Sequence, residues 1–378
     1  RARMLSAPNP PVGCVIVRDG LVLGEGHTQQ VGGPHAEVMA MADARARGHT
    51  LAGATAYVTL EPCAHHGRTP PCADALVREG LARVVVALHD PNPLVAGQGT
   101  ARLRAAGVDV LELPADDPQS EAARRTMAGF LSRMTQQRPW VRLKVAGSLD
   151  GRTALPDGRS QWITSAAARE DGQRWRAEAS AVLTGIGTVL DDDPQLNVRA
   201  VSTPRQPWRV VLDSRWRLPL GAQMLQSGAP VHVYGLAAES GTEAAARLQA
   251  LLALQARQAA DGAGVAALHA HVVTACNERV DLYAVLADLA AAGCNELHVE
   301  AGARLNAAFI QADLVDEFLV YLAPKLIGPG RPLAELSELP DLAAAATLSF
   351  HDVTLVGPDL RILASPPGRL HARTRAKP

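Results

Sequence analysis

The stretch Pro34-His35-Ala36-Glu37-Val38, taken with Thr59-Leu60-Glu61-Pro62-Cys63 and with Cys72 nine residues beyond Cys63, decides how the first third of the chain is read. His35 opens a segment, His35 to Arg47, that has helical periodicity, and Gly48 closes it as a C′ glycine. Thr55-Ala56-Tyr57-Val58-Thr59-Leu60 reads as a short buried strand running into Glu61-Pro62-Cys63. Asp74 to Glu79 reads as a helix that stops at Gly80. Upstream, Gly13 to Val17 and Leu21 to Gly24 flank Asp19-Gly20, a hairpin turn pair. Downstream, Arg83 to Leu88 is a strand, Ala101 to Ala106 a helix ended by Gly107, and Val108 to Leu113 a further strand. Strands and helices alternating at this interval predict an α/β layered domain.

One imidazole, two thiols and a carboxyl in this order have a chemical reading. A catalytic zinc takes three protein ligands and keeps one position for water. His35, Cys63 and Cys72 supply three, and both cysteines are expected near helix starts, where the dipole favours thiolate. Glu37 then reaches the water without binding the metal and passes its proton to a substrate nitrogen. His-x-Glu followed by Pro-Cys and a second Cys is the signature order of zinc nucleobase deaminases, although here the second cysteine follows after nine positions instead of three. Two plainer readings stand beside it: a closed structural zinc site with His65 or His66 as fourth ligand, and a pair of inert buried thiols. The polar segment between the cysteines is expected as a loop over the metal, or as a merely solvated loop. Asn9 in Pro8-Asn9-Pro10, and Asp90-Pro91-Asn92-Pro93, are turn formers by default that could also read a pyrimidine edge. Cys14, Cys276 and Cys294 are expected as core filler.

The chain has 378 residues, enough for two domains. A hydrophobic fraction of 47% with 20% charged residues excludes wholesale disorder. A net charge of −1 supplies no global positive field for a nucleic-acid backbone. No apolar run reaches a membrane span, and Arg1 to Ser6 carries no apolar signal region; without an initiator Met, residues before Arg1 are expected to have been trimmed. Five scattered cysteines exclude a disulfide framework and point to a reducing cytoplasm. Three lysines stand beside 34 arginines, a bias that discounts any single arginine as a functional signal.

Residues 114–139 are polar, with one helix expected from Glu121 to Met134, and Gln136-Gln137-Arg138-Pro139 is the best domain boundary. A second alternating pattern follows. Trp140 to Val145, Arg209 to Leu212, Val231 to Tyr234, Glu296 to Glu300 and Glu317 to Leu322 read as strands, with a hairpin from Leu348 to Leu363 closing a mixed sheet. Ala166 to Leu183, Asp281 to Ala292 and Leu305 to Ala312 read as helices. No G-x-G-x-x-G follows a strand, so a Rossmann fingerprint is absent. Glu300-Ala301-Gly302-Ala303-Arg304 sits at a strand-to-helix junction suited to a phosphate, and Gly185-Ile186-Gly187-Thr188 is a second Gly-rich turn; either is equally read as plain turn chemistry. Asp191-Asp192-Asp193-Pro194 is a polar turn in preference to a metal site. Lys144, expected at a strand end, is a candidate for the pocket.

These motifs together resemble one family. Pro8-Asn9-Pro10, Val12-Gly13-Cys14, Pro34 to Val38, Thr59 to Cys63, His66-Gly67-Arg68-Thr69-Pro70-Pro71-Cys72 and Asp90 to Pro93 look like the deaminase half of the bifunctional riboflavin-biosynthesis deaminase–reductases. The likeness continues through Lys144, Ser148 to Gly151, Ser160-Gln161-Trp162-Ile163-Thr164, Asp192-Asp193-Pro194 and Val299 to Gly302, to about residue 365. The resemblance implies a cytidine-deaminase-like three-layer domain over 1–137, a dihydrofolate-reductase-like α/β domain over 138–366, and a disordered basic tail over 367–378. It implies one catalytic zinc on His35, Cys63 and Cys72, with Glu37 as proton shuttle, acting on a phosphorylated diaminopyrimidine held by Asn9, His65, Arg68, Asp90 and Asn92. The second domain would then reduce the ribosyl group to ribityl with NADPH. Ala146, Trp162, Thr188, Asp192, Ser214 and the run Gly302, Ala303, Arg304, Leu305, Asn306, Ala307, Ala308 would contact the cofactor. Ser160, Arg176, Leu196, Arg199 and Glu300 would contact the substrate, the two arginines as a phosphate clamp. A homo-oligomer is expected, with neither nucleic acid nor membrane as partner. The chain departs from the family pattern in three ways. The helix usual before Pro-Asn-Pro is largely missing, His27 stands one position early in Gly26-His27-Thr28, and Ala64 replaces a frequent Ser. Two other readings remain open at this point: a nucleic-acid base deaminase fused to an unrelated domain, and a non-catalytic module with structural zinc.

Overall fold

A computed structural model describes residues 1–64, 70–92, 96–226, 228–261 and 266–371. The chain forms two compact units, Arg1–Arg138 and Pro139–His371.

The first unit is a five-stranded sheet in the order β2-β1-β3-β4-β5. β1 (Gly13–Arg18) and β2 (Leu21–His27) form an antiparallel hairpin through Asp19-Gly20, where both residues adopt positive φ. β3 (Thr55–Val58), β4 (Arg83–Val86) and β5 (Asp109–Glu112) are mutually parallel, joined by α2 (Cys72–Arg78) and α3 (Gln98–Ala105). Alternation along the strands sends Cys14, Ile16, Ala56, Val58, Val84 and Val86 into one continuous core. α1 (Ala36–Ala46) lies directly on β2, because Gly24 and Gly26 leave no side chain between them. A Cβ at Gly24 would run into the carbonyl oxygen of Ala40, and one at Gly26 into that of Ala36. The single helix expected at 121–134 is two, α4 (Pro118–Thr126) and α5 (Ala128–Gln136), broken at Met127.

The second unit is a nine-stranded sheet, ordered β11-β10-β9-β8-β14-β6-β15-β18-β17. It comprises β6 (Trp140–Ser148), β8 (Ala181–Gly185), β9 (Trp208–Leu212), β10 (Val231–Leu236), β11 (Leu268–Val273), β14 (Glu296–Val299) and β15 (Glu317–Ala323), all parallel, and an antiparallel end of β17 (Ser349–Val356) and β18 (Asp359–Ser365). Short pairs β7 (Arg152–Ala154) with β16 (Arg331–Pro332), and β12 (Ala275–Cys276) with β13 (Arg279–Val280), lie beside it. α6 (Ala166–Glu178), α7 (Ile186–Asp192), α8 (Glu243–Asp261), α9 (Leu282–Ala291) and α10 (Ala303–Gln311) connect the strands. The helix expected to reach Leu183 ends at Glu178, and Ala181–Gly185 is instead a strand near the middle of the sheet. Lys144 lies inside β6, not at its end. Of the supposed core cysteines, Cys14 and Cys294 are buried but Cys276 is exposed. The tail expected to fray from 367 is held at its start. Arg369 donates to Asp313 Oδ1 at 2.5 Å and to the Val315 carbonyl at 3.2 Å, while 372–378 lie outside the described residues. Among the described residues no helix is long and apolar enough to cross a membrane.

Candidate active sites

In the first unit the chemistry collects where two helices begin. His35 is the N-cap of α1, and Cys72 is the first residue of α2. Cys63 sits in the coil after β3, so only one of the two cysteines has the helix start expected of both. His35 Nδ1 stands 3.6 Å from Cys63 Sγ and 3.4 Å from Cys72 Sγ. The Cys72 amide donates to Cys63 Sγ at 3.4 Å, and the Ala73 amide to the Cys63 carbonyl at 3.2 Å, which ties the coil to α2. The three donor atoms lie within 4.8 Å of one another, the one such grouping among the described residues.

The donor set fits zinc. The contact between the thiols splits them: Cys63 is drawn down to about 4 by its hydrogen bond with Cys72, and that same bond drives Cys72 up. Two adjacent sulfurs cannot both be thiolates without a cation between them, and a divalent ion removes that conflict. The contact with Cys63 raises His35. Glu37, in the first turn of α1, is only 3% exposed, and burial raises its carboxyl. A carboxyl so placed exchanges a proton more readily near neutrality than an exposed one.

Glu61 escaped the sequence reading. It is buried, and its Oε1 accepts from the amides of Gly99 at 2.9 Å and Thr100 at 3.1 Å. Its Oε2 accepts from Gly97 at 3.0 Å and Asp90 at 3.4 Å. One carboxylate thus caps α3 and fixes the residue two before Cys63 against the turn carrying Asp90 and Asn92. Gly99 permits this, since a Cβ there would strike the Pro62 carbonyl oxygen. The Asn92 amide donates to Asp90 Oδ1 at 2.9 Å, an Asx turn. Asn9 is held in a turn by its amide on the Ser6 carbonyl at 2.8 Å. His65, His66 and Arg68 lie outside the described residues. A separate hollow of about 510 Å³ is lined by Val15, Tyr57 and Val85 with Ala122 and Thr126 of α4.

In the second unit, four adjacent parallel strands, β9, β8, β14 and β6, end along one edge. Ser214 follows β9, Thr188 and Asp192 lie on α7 directly after β8, Glu300 and Gly302 follow β14, and Ala146 is near the end of β6. The carboxyl edge of a parallel sheet is where such folds bind nucleotides. The Gly185 turn expected after a helix follows a strand instead, which puts it on this edge.

Glu300 is the hub. Arg176 grips it bidentately, Nε to Oε1 at 2.5 Å and Nη2 to Oε2 at 2.9 Å, and its Nη1 donates to the Asn197 carbonyl at 3.1 Å. Lys144 Nζ is 3.5 Å from Oε2, and His298 Nε2 is 3.3 Å from Oε1. Burial would raise the Glu300 carboxyl, but Arg176 and Lys144 overrule it and hold it well below the carboxylate range. Each of the three guanidinium nitrogens of Arg176, one half of the expected phosphate clamp, has a partner within the protein. Arg199, which remains, is exposed, with Nη1 3.4 Å from Asn197 Oδ1. Leu196, at positive φ, is buried.

The run 302–308 covers the N-cap and the first two turns of α10, so its members differ in exposure. Asn306 is buried and donates to the Leu333 carbonyl at 2.8 Å, Ala307 is buried, and Arg304 pairs with Glu335 at 3.2 Å. Leu305 packs by Gly185, and Ala308 is half-buried in the second turn. Gly302, the exposed N-cap, and Ala303 remain at the open end of α10. Trp162 is exposed, with the Arg169 guanidinium 4.3 Å from its ring centroid, and Ser160 is half-buried two residues before it. Asp150 accepts from the amides of Ile327 at 3.1 Å and Gly328 at 2.7 Å and so pins the loop beyond β15.

Comparison with known proteins agrees with this division. Residues 1–88 match the family profile described as cytidine and deoxycytidylate deaminase zinc-binding region, and residues 139–362 the profile of the RibD C-terminal domain. The riboflavin biosynthesis protein RibD of Escherichia coli (strain K12) is 43% identical over 373 residues, covering 95% of this chain and 94% of that protein. A solved RibD of Acinetobacter baumannii is 41% identical with a TM-score of 0.80, covering 97% of this chain and 95% of that one. The diaminohydroxyphosphoribosylaminopyrimidine deaminase/5-amino-6-(5-phosphoribosylamino)uracil reductase of Thermotoga maritima is 32% identical with a TM-score of 0.80, covering 96% and 94%.

Proposed function

This chain belongs to the RibD family of bifunctional riboflavin biosynthesis proteins, a zinc-binding deaminase domain followed by a reductase domain of the NADPH-dependent type, and from that membership we propose how its residues divide the work. The substrate is 2,5-diamino-6-(5-phosphoribosylamino)pyrimidin-4(3H)-one. The first unit replaces its 2-amino group by oxygen, releasing ammonia and leaving 5-amino-6-(5-phosphoribosylamino)uracil. The second unit reduces the ribosyl group of that uracil to ribityl.

His35, Cys63 and Cys72 would hold the zinc, which when bound supplies the positive charge that makes water nucleophilic near neutral pH. Glu37 takes one proton from the attacking water and delivers it to the ring nitrogen, then takes the second from the hydroxyl of the adduct and delivers it to the departing amine, which leaves as ammonia. Asn9, Asp90 and Asn92 orient the pyrimidine, with His65 and Arg68 from the segment between the cysteines. In the second unit NADPH would supply a hydride to C1′ of the ring-opened sugar imine. Gly302 and Ala303, with Ala146, Thr188, Asp192, Ser214 and Trp162, line the cofactor edge. Glu300, held ionised by Arg176, accepts hydrogen bonds from sugar hydroxyls. Lys144, on the same carboxylate, faces the sugar, while Arg199, Ser160 and Leu196 receive the phosphate end.

The convergence of His35, Cys63 and Cys72 around a buried Glu37 carries this reading. Incubation with the pyrimidine substrate tests it: ammonia is released without NADPH, and NADPH is consumed only afterwards. Glu37→Gln keeps its zinc and loses ammonia release by about 10²–10⁴-fold. Turnover retained in that variant removes the shuttle role.

We also propose a homo-oligomer, built through the outer strand β17. Its Phe350 is 70% and Leu355 69% exposed, on a sheet edge whose backbone has no further strand to pair with among the described residues. A cytoplasmic setting accords with five cysteines that form no disulfide.

A further inference from the structure

The far edge of the nine-stranded sheet carries an imidazole cluster that neither reaction uses. β10 and β11 run parallel with His232 opposite His269 and Tyr234 opposite His271, so these four side chains share one face. His232 Nδ1 stands 3.0 Å from His271 Nε2. The other nitrogen of His271, Nδ1, is 3.3 Å from Asp288 Oδ2 on α9, and the same oxygen accepts from the Tyr234 hydroxyl at 2.6 Å. His269 stacks on His232 with ring centroids 4.8 Å apart.

A carboxylate that accepts a hydrogen bond from the Nδ1–H of an imidazole fixes the tautomer that presents Nε2 as a lone pair, which is how proteins orient a metal-ligating histidine. Donors around a tetrahedral ion with metal–nitrogen bonds of about 2.0–2.1 Å stand about 3.3 Å apart, close to the His232–His271 separation. We propose that His232, His269 and His271 form a second transition-metal site, with Asp288 orienting His271, that clamps the edge strand β11 to β10.

An all-imidazole donor set suits zinc, copper or nickel. The ion takes the place of the proton now shared between the His232 and His271 rings. At the deaminase centre all three donors have already converged. Here two have, and the third, His269, closes by turning its partly exposed ring off His232. β11 gains most from such a clamp, having a strand on one side only.

Cobalt(II) distinguishes the two sites. Loaded into the full chain and passed through gel filtration, it is expected to remain at two equivalents. The first shows thiolate-to-metal charge transfer from Cys63 and Cys72; the second adds ligand-field bands without any. His271→Gln and His269→Gln each lose the second equivalent and keep the first, and Asp288→Asn weakens it by about 10–100-fold. His269 is the partly exposed member of the cluster, so its variant carries the test if His271→Gln fails to fold. A single equivalent in the unsubstituted protein, or a second that persists in the folded histidine variants, overturns the proposal.

Discussion

Replacing Glu61 by Ala is expected to damage the deaminase unit although Glu61 touches no reacting atom. Its carboxylate accepts from four backbone amides, those of Gly97, Gly99, Thr100 and Asp90, at 3.0, 2.9, 3.1 and 3.4 Å. A hydrogen bond to a charged group contributes about 1.5–3 kcal/mol, and a buried amide left without a partner costs about 1–3 kcal/mol. The four do not add. They share one carboxylate, the Asp90 bond is long, and the first amides of α3 can take water once the side chain is gone. A loss of about 3–4 kcal/mol follows, within the range for removing one partner of a buried charged network. For a unit of this size that lowers the first melting transition by roughly 10 °C. Glu61→Gln keeps one acceptor oxygen and is expected to lose about half as much. Because Glu61 sits two residues before Cys63, zinc retention should fall in the same order: Glu, then Gln, then Ala. Calorimetry of the full chain, with metal analysis of each variant, reads both quantities. A first transition in Glu61→Ala within about 0.5 kcal/mol of the parent, the ordinary range for a neutral surface change, with full zinc, refutes the argument that this carboxylate holds the cysteine coil to the Asp90 turn.

Arg176→Lys keeps the charge but breaks the fork on Glu300, and one lost charge-assisted bond lowers reductase kcat/KM by about 10–100-fold while ammonia release is unchanged; equal losses in both activities would mean a folding defect. His232 is neutral in the folded protein down to about 4, against about 6.5 unfolded, with His269, His271, Tyr234 and Asp288 facing it. The unfolded chain therefore binds the extra proton between those values. Stability is complete above pH 6.5 and falls as pH drops toward 4, by about 3 kcal/mol for the whole shift and on the order of 2 kcal/mol after allowing for partial solvent access. In chelator, melting of the second unit should fall less steeply with acidification in His232→Gln than in the parent, and parallel slopes would acquit the residue. Charging the outer strand with Phe350→Glu and Leu355→Glu should reduce the sedimentation mass to that of one chain; an unchanged mass places the contact elsewhere.

The first unit was legible because its turns are punctuated. Asp19-Gly20, Gly48, Gly80 and Gly107 end elements where φ turns positive, and each forced break coincides with a residue that tolerates it. The second unit lacks such a mark where it mattered. α6 passes into β8 through Ala179-Ser180-Ala181-Val182-Leu183, without Gly or Pro, and a strand buried on both faces carries no alternation. The helical reading ran straight over it, as it ran over Met127 between α4 and α5. The metal donors were visible because three rare side chains stand at telling intervals. Glu61 was not, because its partners arrive from 29 to 39 residues away. Nor was the partnership of Arg176 and Glu300, 124 residues apart. Among 34 arginines no pattern singles out Arg176, whose three guanidinium nitrogens are all engaged.

Both units place their chemistry by the same physical device. Parallel strands release the chain at their carboxyl ends, where neighbouring connections diverge and leave backbone groups and side chains facing open space. β3 delivers Glu61-Pro62-Cys63 there, and β4 delivers Asp90 and Asn92. β14 delivers Glu300 and the N-cap of α10, with β8, β9 and β6 supplying the remaining edge. At each edge one carboxylate, Glu61 or Glu300, is fastened by several donors, so its position is set by the fold and not by what binds. A ligand arriving at either edge then meets groups whose desolvation and ordering were completed during folding, the condition under which hydrogen bonds and charges act with full effect on a reacting molecule. The tightly held carboxylate is the structural signature of that condition, and it is why substitutions at Glu61 should register in zinc retention as well as in melting, and those at Arg176 in reductase turnover.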